Sequence, residues 1–117
     1  MFWTVRFVDA FEAEFRALPR EVQNPLMAIA KMLESHGPQL GRPQVDTLNG
    51  SRFANMKEIR FATAKGAWRV AFAFDPAREA ILLVAGDKSG ISQRRFYSRL
   101  ISLADARYAA YLLRQYH

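Results

Sequence analysis

The chain has 117 residues, half of them hydrophobic, and a formal net charge of +6. This length suits one compact domain with a real core and is too short for two, so we expect a single domain over residues 1–117. Cysteine is absent and there are two histidines, which excludes disulfides, thiolate zinc sites and histidine-rich metal sites. We therefore expect neither a metal nor another cofactor. The positive charge favours an anionic partner, most simply nucleic acid.

No apolar run approaches the length needed to cross a bilayer. Residues 1–9 lack the basic start and the long apolar centre of a secretory signal. These features predict a cytoplasmic protein with no membrane partner.

The first third of the chain predicts one strand and two helices. Residues 2–8 are dense in aromatic and β-branched side chains, which is typical of a strand. Residues 10–18 and a second stretch ending at Ser35 carry apolar side chains at helical spacing, and Asp9 is placed to cap the first helix. The second helix either starts just before Pro25 or is one helix kinked there, and we favour a single helical unit.

Residues 37–54 show no periodicity and are rich in Gly, Pro, Asn, Asp and Ser, which predicts a long loop that is functional or mobile. The loop supplies Arg42 and Arg52 as candidates for binding an anionic partner, although a solvated surface accounts equally well for Arg42. His36 precedes the loop without a partner motif beside it, so we interpret it as a polar residue near a helix end and not as a catalytic group.

A three-strand antiparallel meander is predicted next, over residues 56–61, 68–74 and 80–86. Alternation in the first strand places Glu58 and Arg60 together on one face. In the second strand it places Trp68 on an apolar face that needs a core and Arg69 on the opposite face. The third strand is almost wholly apolar, as expected for a strand covered on both faces, and it ends beside Lys88.

Residues 91–117 predict a terminal helix with Ser92 as a possible cap and with basic residues outside its apolar stripe. The expected fold class is therefore α+β. A small, mostly antiparallel sheet would combine the N-terminal strand with the meander, and two N-terminal helices and one C-terminal helix would pack on it.

The predicted sheet carries a cluster of cations and one carboxylate, namely Lys57, Glu58, Arg60, Arg69 and Lys88. RNA cleavage by its own 2′-hydroxyl needs a base, an acid and positive charge around the phosphorus, and guanidinium groups supply that charge without a metal.

Two further roles follow from the residue types. Lys57 could be the base only if neighbouring cations ease the loss of its proton. In a regular strand, however, Lys57 and Arg60 point to opposite faces, so a bulge would be needed to bring them together. Phe96 or Tyr97 could stack on an unpaired base. The alternative is that Glu58 pairs with the arginines and leaves an ion-paired face without chemistry.

The element order, with the motifs MKEIRF, WRVAFAFD and ILLVAGDKSG, resembles the RelE/ParE toxin superfamily over nearly the whole chain. The segments RPQVDTLNGSRFANMKEIR, AWRVAFAFDP and AILLVAGDKSG are similar to the phage-related HigB-like branch. The resemblance implies a RelE-like fold and a toxin of a type II toxin–antitoxin system that cuts translated mRNA on the ribosome. Its partner would be a HigA-like helix-turn-helix antitoxin, and operator DNA would be bound only through that antitoxin.

Site roles are also implied by the resemblance. Glu58 and Arg60 match the E-L-R strand motif, Arg69 matches the arginine that contacts the scissile phosphate, and Lys88 matches the basic residue after the last strand. Lys57 and Tyr97 are placed less directly. Phe53 stands where many relatives carry a histidine, so a histidine-based mechanism is not expected. Two alternatives remain, a ParE-like toxin that inhibits gyrase without nuclease activity and a non-catalytic relic that binds only an antitoxin or RNA.

Overall fold

A five-stranded sheet organises the molecule. The computed structural model describes residues 2–116. The strands are β1 (Thr4–Phe7), β2 (Val45–Thr47), β3 (Met56–Thr63), β4 (Gly66–Phe74) and β5 (Glu79–Asp87). The helices are α1 (Asp9–Arg16), α2 (Arg20–His36) and α3 (Gln93–Tyr116), and a 3-10 turn (Gly37–Gln39) follows α2.

The strand order is β1-β5-β4-β3-β2, with β1 parallel to β5 and the other neighbours antiparallel. The predicted α+β class, the meander and the mostly antiparallel sheet are confirmed. A single helix through Pro25 is confirmed as well. Within residues 2–116, none of the helices combines the length and the apolar character that crossing a bilayer requires.

Helices cover both faces of the central strands. Phe7 of β1 packs on Phe11 and Phe15 of α1. Trp3, just before β1, lies against Gly37 at the end of α2. On the other face, α3 packs on β4 and β5. Consecutive β4 residues from Val70 to Ala73 are consequently 0% exposed. The core therefore lies on both sides of the sheet, and the face that carries Arg69 is covered by a helix rather than open.

The expectation of a structureless segment over residues 37–54 is wrong. Besides the 3-10 turn, this segment contains β2, which pairs with β3 through Val45 opposite Ile59 and Asp46 opposite Glu58. Val45 is 1% exposed and anchors the strand in the core. Three residues are too few to show a periodicity, so only the pairing with β3 reveals the strand.

Asp9 is not the cap of α1. The cap position is Val8, without a side-chain hydrogen bond, and Asp9 is the first helical residue. The reason is that β1 runs directly into α1, and the Val8 N–H donates to the Leu82 carbonyl of the neighbouring strand. For α3, the Ser92 hydroxyl accepts a hydrogen bond from the Arg95 N–H, which confirms the predicted cap.

Asp75 ties the β4–β5 turn to the end of α3. It is 5% exposed. One carboxylate oxygen accepts the backbone N–H groups of Ala77 and Glu79 at 2.9 and 3.0 Å. The other accepts the hydroxyls of Tyr111 and Tyr116 at 2.6 and 3.0 Å. This carboxylate thus closes the turn and holds the C-terminal helix on the sheet.

Trp68 is not the core residue that its alternation predicted. It is half-buried beside the β3–β4 turn and lies nearly parallel to Phe61, with ring centroids 6.5 Å apart.

Trp68→Ala is expected to lower the free energy of unfolding by about 1–2 kcal/mol, because only part of the Trp68 side chain is removed from water on folding. Urea denaturation will measure this change. A loss of about 3–5 kcal/mol, typical of a large buried aromatic, would show that the ring belongs to the core.

Candidate active site

An open cleft of about 600 Å³ lies between β2, β3 and the first turn of α3. Polar and charged residues predominate among those that line it, which are Asp46, Thr47, Leu48, Asn49, Glu58, Arg60, Gln93, Arg94 and Tyr97. β2 supplies one wall of the cleft, so the cleft depends on the pairing of this short strand with β3.

Cross-strand register builds the floor of the site. Arg60 lies opposite Arg69, and Arg69 lies opposite Gly86, so the three residues form one row across β3, β4 and β5. A Cβ atom at Gly86 would come within 2.9 Å of the Phe96 ring. The missing side chain therefore lets α3 approach the sheet closely, and the next residue of the helix, Tyr97, reaches the row of arginines.

Glu58, Tyr97 and Arg69 form a hydrogen-bonded chain. The Tyr97 hydroxyl donates to Oε1 of Glu58 at 2.8 Å, and Nε of Arg69 donates to the same hydroxyl at 3.3 Å. Nη1 of Arg69 also donates to the Trp68 carbonyl at 2.9 Å, which fixes the guanidinium. Glu58 and Arg69 are 4% and 7% exposed, so their charges interact with little screening by solvent.

The phenol of Tyr97 is held in its neutral form. Burial raises the pKa of Tyr97 above its ordinary value, the hydrogen bond to Glu58 raises it further, and the hydrogen bond from Arg69 opposes the shift. At neutral pH this side chain is therefore a proton donor that is bonded to a buried carboxylate.

Asp46 adds a second carboxylate to the cleft, one that the sequence did not single out. Its Oδ2 lies 2.7 Å from Nη2 of Arg42 and 3.7 Å from Nη1 of Arg60. Arg60 also lies 3.4 Å from Oε2 of Glu58. The hydrogen bond from Arg42, and then that from the Thr47 N–H, lowers the pKa of Asp46. Arg60 is thus shared between the carboxylates of Asp46 and Glu58, and Arg42 is an exposed residue at the edge of the site.

Four predicted site residues lie away from this chain of contacts. Lys57 pairs with Phe72 in a β3–β4 ladder without a bulge, so it faces the α2 side and cannot join Arg60. Phe96 is 6% exposed and packs under the helix, so it is not available to stack on a base. Strand parity thus places Lys57 on the face opposite Arg60, and burial keeps Phe96 from stacking on a base.

The other two residues are Lys88 and Arg52, and neither lines the cleft. Lys88 follows β5 two rows beyond Arg69, and its N–H donates to the Ala67 carbonyl. Arg52 places its guanidinium 5.1 Å from the Phe53 ring, while its backbone N–H donates to Asp105 of α3. Tyr97, by contrast, joins the site through its hydroxyl.

Sequence reasoning missed Asp46 and Arg94 as cleft residues. Asp46 lay in a predicted loop, and Arg94 was one of several arginines on a helix. The predicted alternative, in which Glu58 pairs with Arg60 and Arg69, describes the observed ion pairs. No group of three His, Cys, Asp or Glu side chains is arranged to hold a metal among the described residues.

Known proteins resemble this chain along most of its length. The family model for the phage-derived protein Gp49-like matches residues 13–109. HigB3, a candidate toxin of Mycobacterium tuberculosis, is 48% identical over 96 residues, which is 82% of each chain. HigB2, a candidate toxin of the same organism, is 42% identical over 111 residues, which is 94% of this chain and 54% of HigB2.

A solved structure supports the fold. An arginine-to-alanine double variant of the Escherichia coli toxin RelE in the free state superposes with a TM-score of 0.65 at 16% sequence identity, covering 92% of this chain and 98% of RelE. At this identity the match concerns the fold alone. Together with the family model and the HigB relatives, it establishes that the chain belongs to the phage-derived Gp49-like family and is a HigB-like toxin with the RelE fold.

Proposed function

We propose that this toxin is a metal-independent endoribonuclease that cuts mRNA on the ribosome, with Glu58, Tyr97 and Arg69 as its reactive groups. The observation that carries the proposal is the hydrogen-bonded chain of these three side chains. Glu58 and Tyr97 line an open cleft, and Arg69 bonds to Tyr97 from outside the cleft lining. A carboxylate, a neutral phenol and a fixed guanidinium are the base, the acid and the positive charge that transesterification of RNA needs.

In the proposed step, Glu58 accepts the proton of the 2′-hydroxyl as its oxygen attacks the phosphorus. Tyr97 donates its proton to the leaving 5′-oxygen as the phosphorus–oxygen bond breaks. The products are a 2′,3′-cyclic phosphate and a 5′-hydroxyl. The 2.8 Å hydrogen bond between the two side chains then lets protonated Glu58 return a proton to the phenolate, which restores the starting state.

Arginine stabilises the charge that develops on the phosphate. Nε of Arg69 already faces the Tyr97 hydroxyl and would hold the phenolate that forms during the step. Arg60 would exchange the distant carboxylate of Asp46, at 3.7 Å, for a phosphate oxygen, since guanidinium binds phosphate in two-pronged fashion.

The partner of this toxin would be an antitoxin, and we propose a HigA-like helix-turn-helix protein through which operator DNA is bound. The HigB names of the relatives and the net charge of +6 support an acidic or charge-masking partner. Because the proposed substrate is mRNA in translation, the toxin would act in the cytoplasm.

A second candidate is binding without cleavage. It is favoured by the ion pairs that already engage Arg60 and Arg69 with carboxylates. In that case the cleft would recognise an antitoxin or RNA while the sheet face remained chemically inert.

Mapping transcript ends after induction without antitoxin tests the proposal. We expect new 5′-hydroxyl ends inside coding regions, and in a purified translation system we expect them only when ribosomes are present. Tyr97→Phe should suppress these ends, with Phe53→Leu as a control outside the cleft lining. New ends that carry a 5′-phosphate would exclude attack by the 2′-hydroxyl. Intact transcripts would exclude cleavage, and trapped gyrase–DNA complexes would then establish a ParE-like toxin.

A further inference from the structure

Three arginines and a serine form one exposed face at the start of α3. Arg94, Arg95, Ser98 and Arg99 line a shallow depression of about 450 Å³. Arg94 and Ser98 are four residues apart, and so are Arg95 and Arg99, so each pair is adjacent on the helix surface. We call this surface the arginine face.

The charges of the arginine face have no carboxylate partner among residues 2–116. No acidic oxygen lies within 4.0 Å of the three guanidinium groups in the described part of the chain, and the first turn of α3 contains no acidic residue. By contrast, Arg60 in the cleft and the buried Arg69 next to Tyr97 are both paired with Glu58. Positive charge without a carboxylate partner is thus concentrated along the first turns of α3, and Arg94 brings it to the lining of the cleft.

The arginine face is continuous with the cleft. Arg94 lines both the depression and the cleft that contains Glu58 and Tyr97. A polyanion lying along the first turns of α3 would therefore lead directly to the hydrogen-bonded chain.

The lining of the arginine face selects among possible anionic ligands. It contains no apolar side chain, whereas protein–protein interfaces rely on buried apolar and aromatic anchors. Arginine forks without such anchors are typical of contacts to phosphate oxygens, which position a nucleic acid without reading its sequence.

We propose that the arginine face binds the phosphate backbone of the RNA strand on one side of the cleavage position and guides that strand into the cleft. This inference deepens the proposed function and rests on it for the identity of the ligand. The contact is electrostatic and independent of base sequence, so the arginine face would contribute affinity and not codon preference.

Binding of a fluorescent single-stranded RNA oligonucleotide to the full chain tests the proposal, measured over a range of salt concentrations. The triple variant Arg94→Gln, Arg95→Gln, Arg99→Gln is expected to bind at least about tenfold more weakly. It should also reduce the slope of log K against log salt by about 2, since each lost phosphate contact on a single strand removes about 0.7.

A matched control changes the net charge equally elsewhere. Arg20→Gln, Lys31→Gln, Arg114→Gln replaces three exposed cations on α2 and at the end of α3 and should retain most of the affinity and the slope. Equal losses in the two triple variants would overturn the proposal, because net charge alone would then explain binding. So would unchanged RNA binding in the arginine-face variant, and a loss confined to antitoxin binding would assign the face to a protein.

The two proposals fail separately. Oligonucleotide binding reports on the arginine face whether or not RNA is cut, whereas the transcript ends report on the reactive groups. A parent chain that binds RNA through the arginine face but leaves transcripts intact would remove the nuclease and retain the binding site.

Discussion

Arg69→Ala is expected to reduce mRNA cleavage by about 10²- to 10³-fold, the usual effect of removing one preorganised donor from a transition state. Arg69 is 7% exposed and holds the Tyr97 hydroxyl through Nε. Its loss would remove positive charge beside the phosphate and also free the phenol. The measurement is the rate at which 5′-hydroxyl ends form in a purified translation system.

Two controls separate chemistry from folding in this experiment. Arg16→Ala removes an exposed arginine of α1 whose ion pair with Glu12 lies within one helix and should leave the rate unchanged. Arg69→Lys keeps the charge but loses the donor geometry of the guanidinium, so its rate should fall between parent and Ala variant. Full activity of a folded Arg69→Ala protein would exclude Arg69 from the reaction, and circular dichroism establishes that the variant is folded.

Asp75→Ala is expected to lower the free energy of unfolding by about 3–4 kcal/mol, because it leaves buried donors without an acceptor. The carboxylate accepts four hydrogen bonds, from Ala77, Glu79, Tyr111 and Tyr116. Its removal would loosen the β4–β5 turn and the end of α3 together. Urea denaturation at neutral pH measures the loss.

Tyr116→Phe is the mild control, since Tyr116 is 50% exposed and its hydroxyl can bond to water. A loss below about 1 kcal/mol in Asp75→Ala would show that the turn and the helix end do not depend on the carboxylate.

Burial first, and the hydrogen bond to Asp75 second, raises the pKa of Tyr111. The unfolded chain therefore releases this proton first, and stability should fall as the pH rises above about 10, the ordinary pKa of tyrosine.

Local patterns were sufficient to predict most of the fold. Period-two alternation over residues 56–61 and 68–74 and apolar spacing in the helices gave the correct elements, because each element is long enough to show its period. β2 was missed because its three residues have meaning only opposite β3. The parallel pairing of β1 with β5 likewise depends on a long-range contact that no local pattern contains.

The candidate site was predictable to the extent that it lies on regular strands. Parity placed Glu58, Arg60 and Arg69 on one face, which the register confirms. The sequence defines less accurately which side of α3 faces the sheet, so both Phe96 and Tyr97 were predicted to bind RNA. The apolar spacing already included Phe96 in the buried stripe, and the structure leaves only Tyr97 in the cleft.

Gly86 gives the arrangement an unexpected vulnerability. It has no group that reacts or binds, yet the bare backbone there sets the clearance between sheet and helix, since a Cβ would lie 2.9 Å from the Phe96 ring. Even one methyl group at position 86 would therefore push α3 away from the sheet. A hydrogen bond of 2.8 Å such as that between Tyr97 and Glu58 has little tolerance for such a displacement. The alignment of Tyr97 with Glu58, the proposed acid and base, thus depends on the absence of a side chain at Gly86.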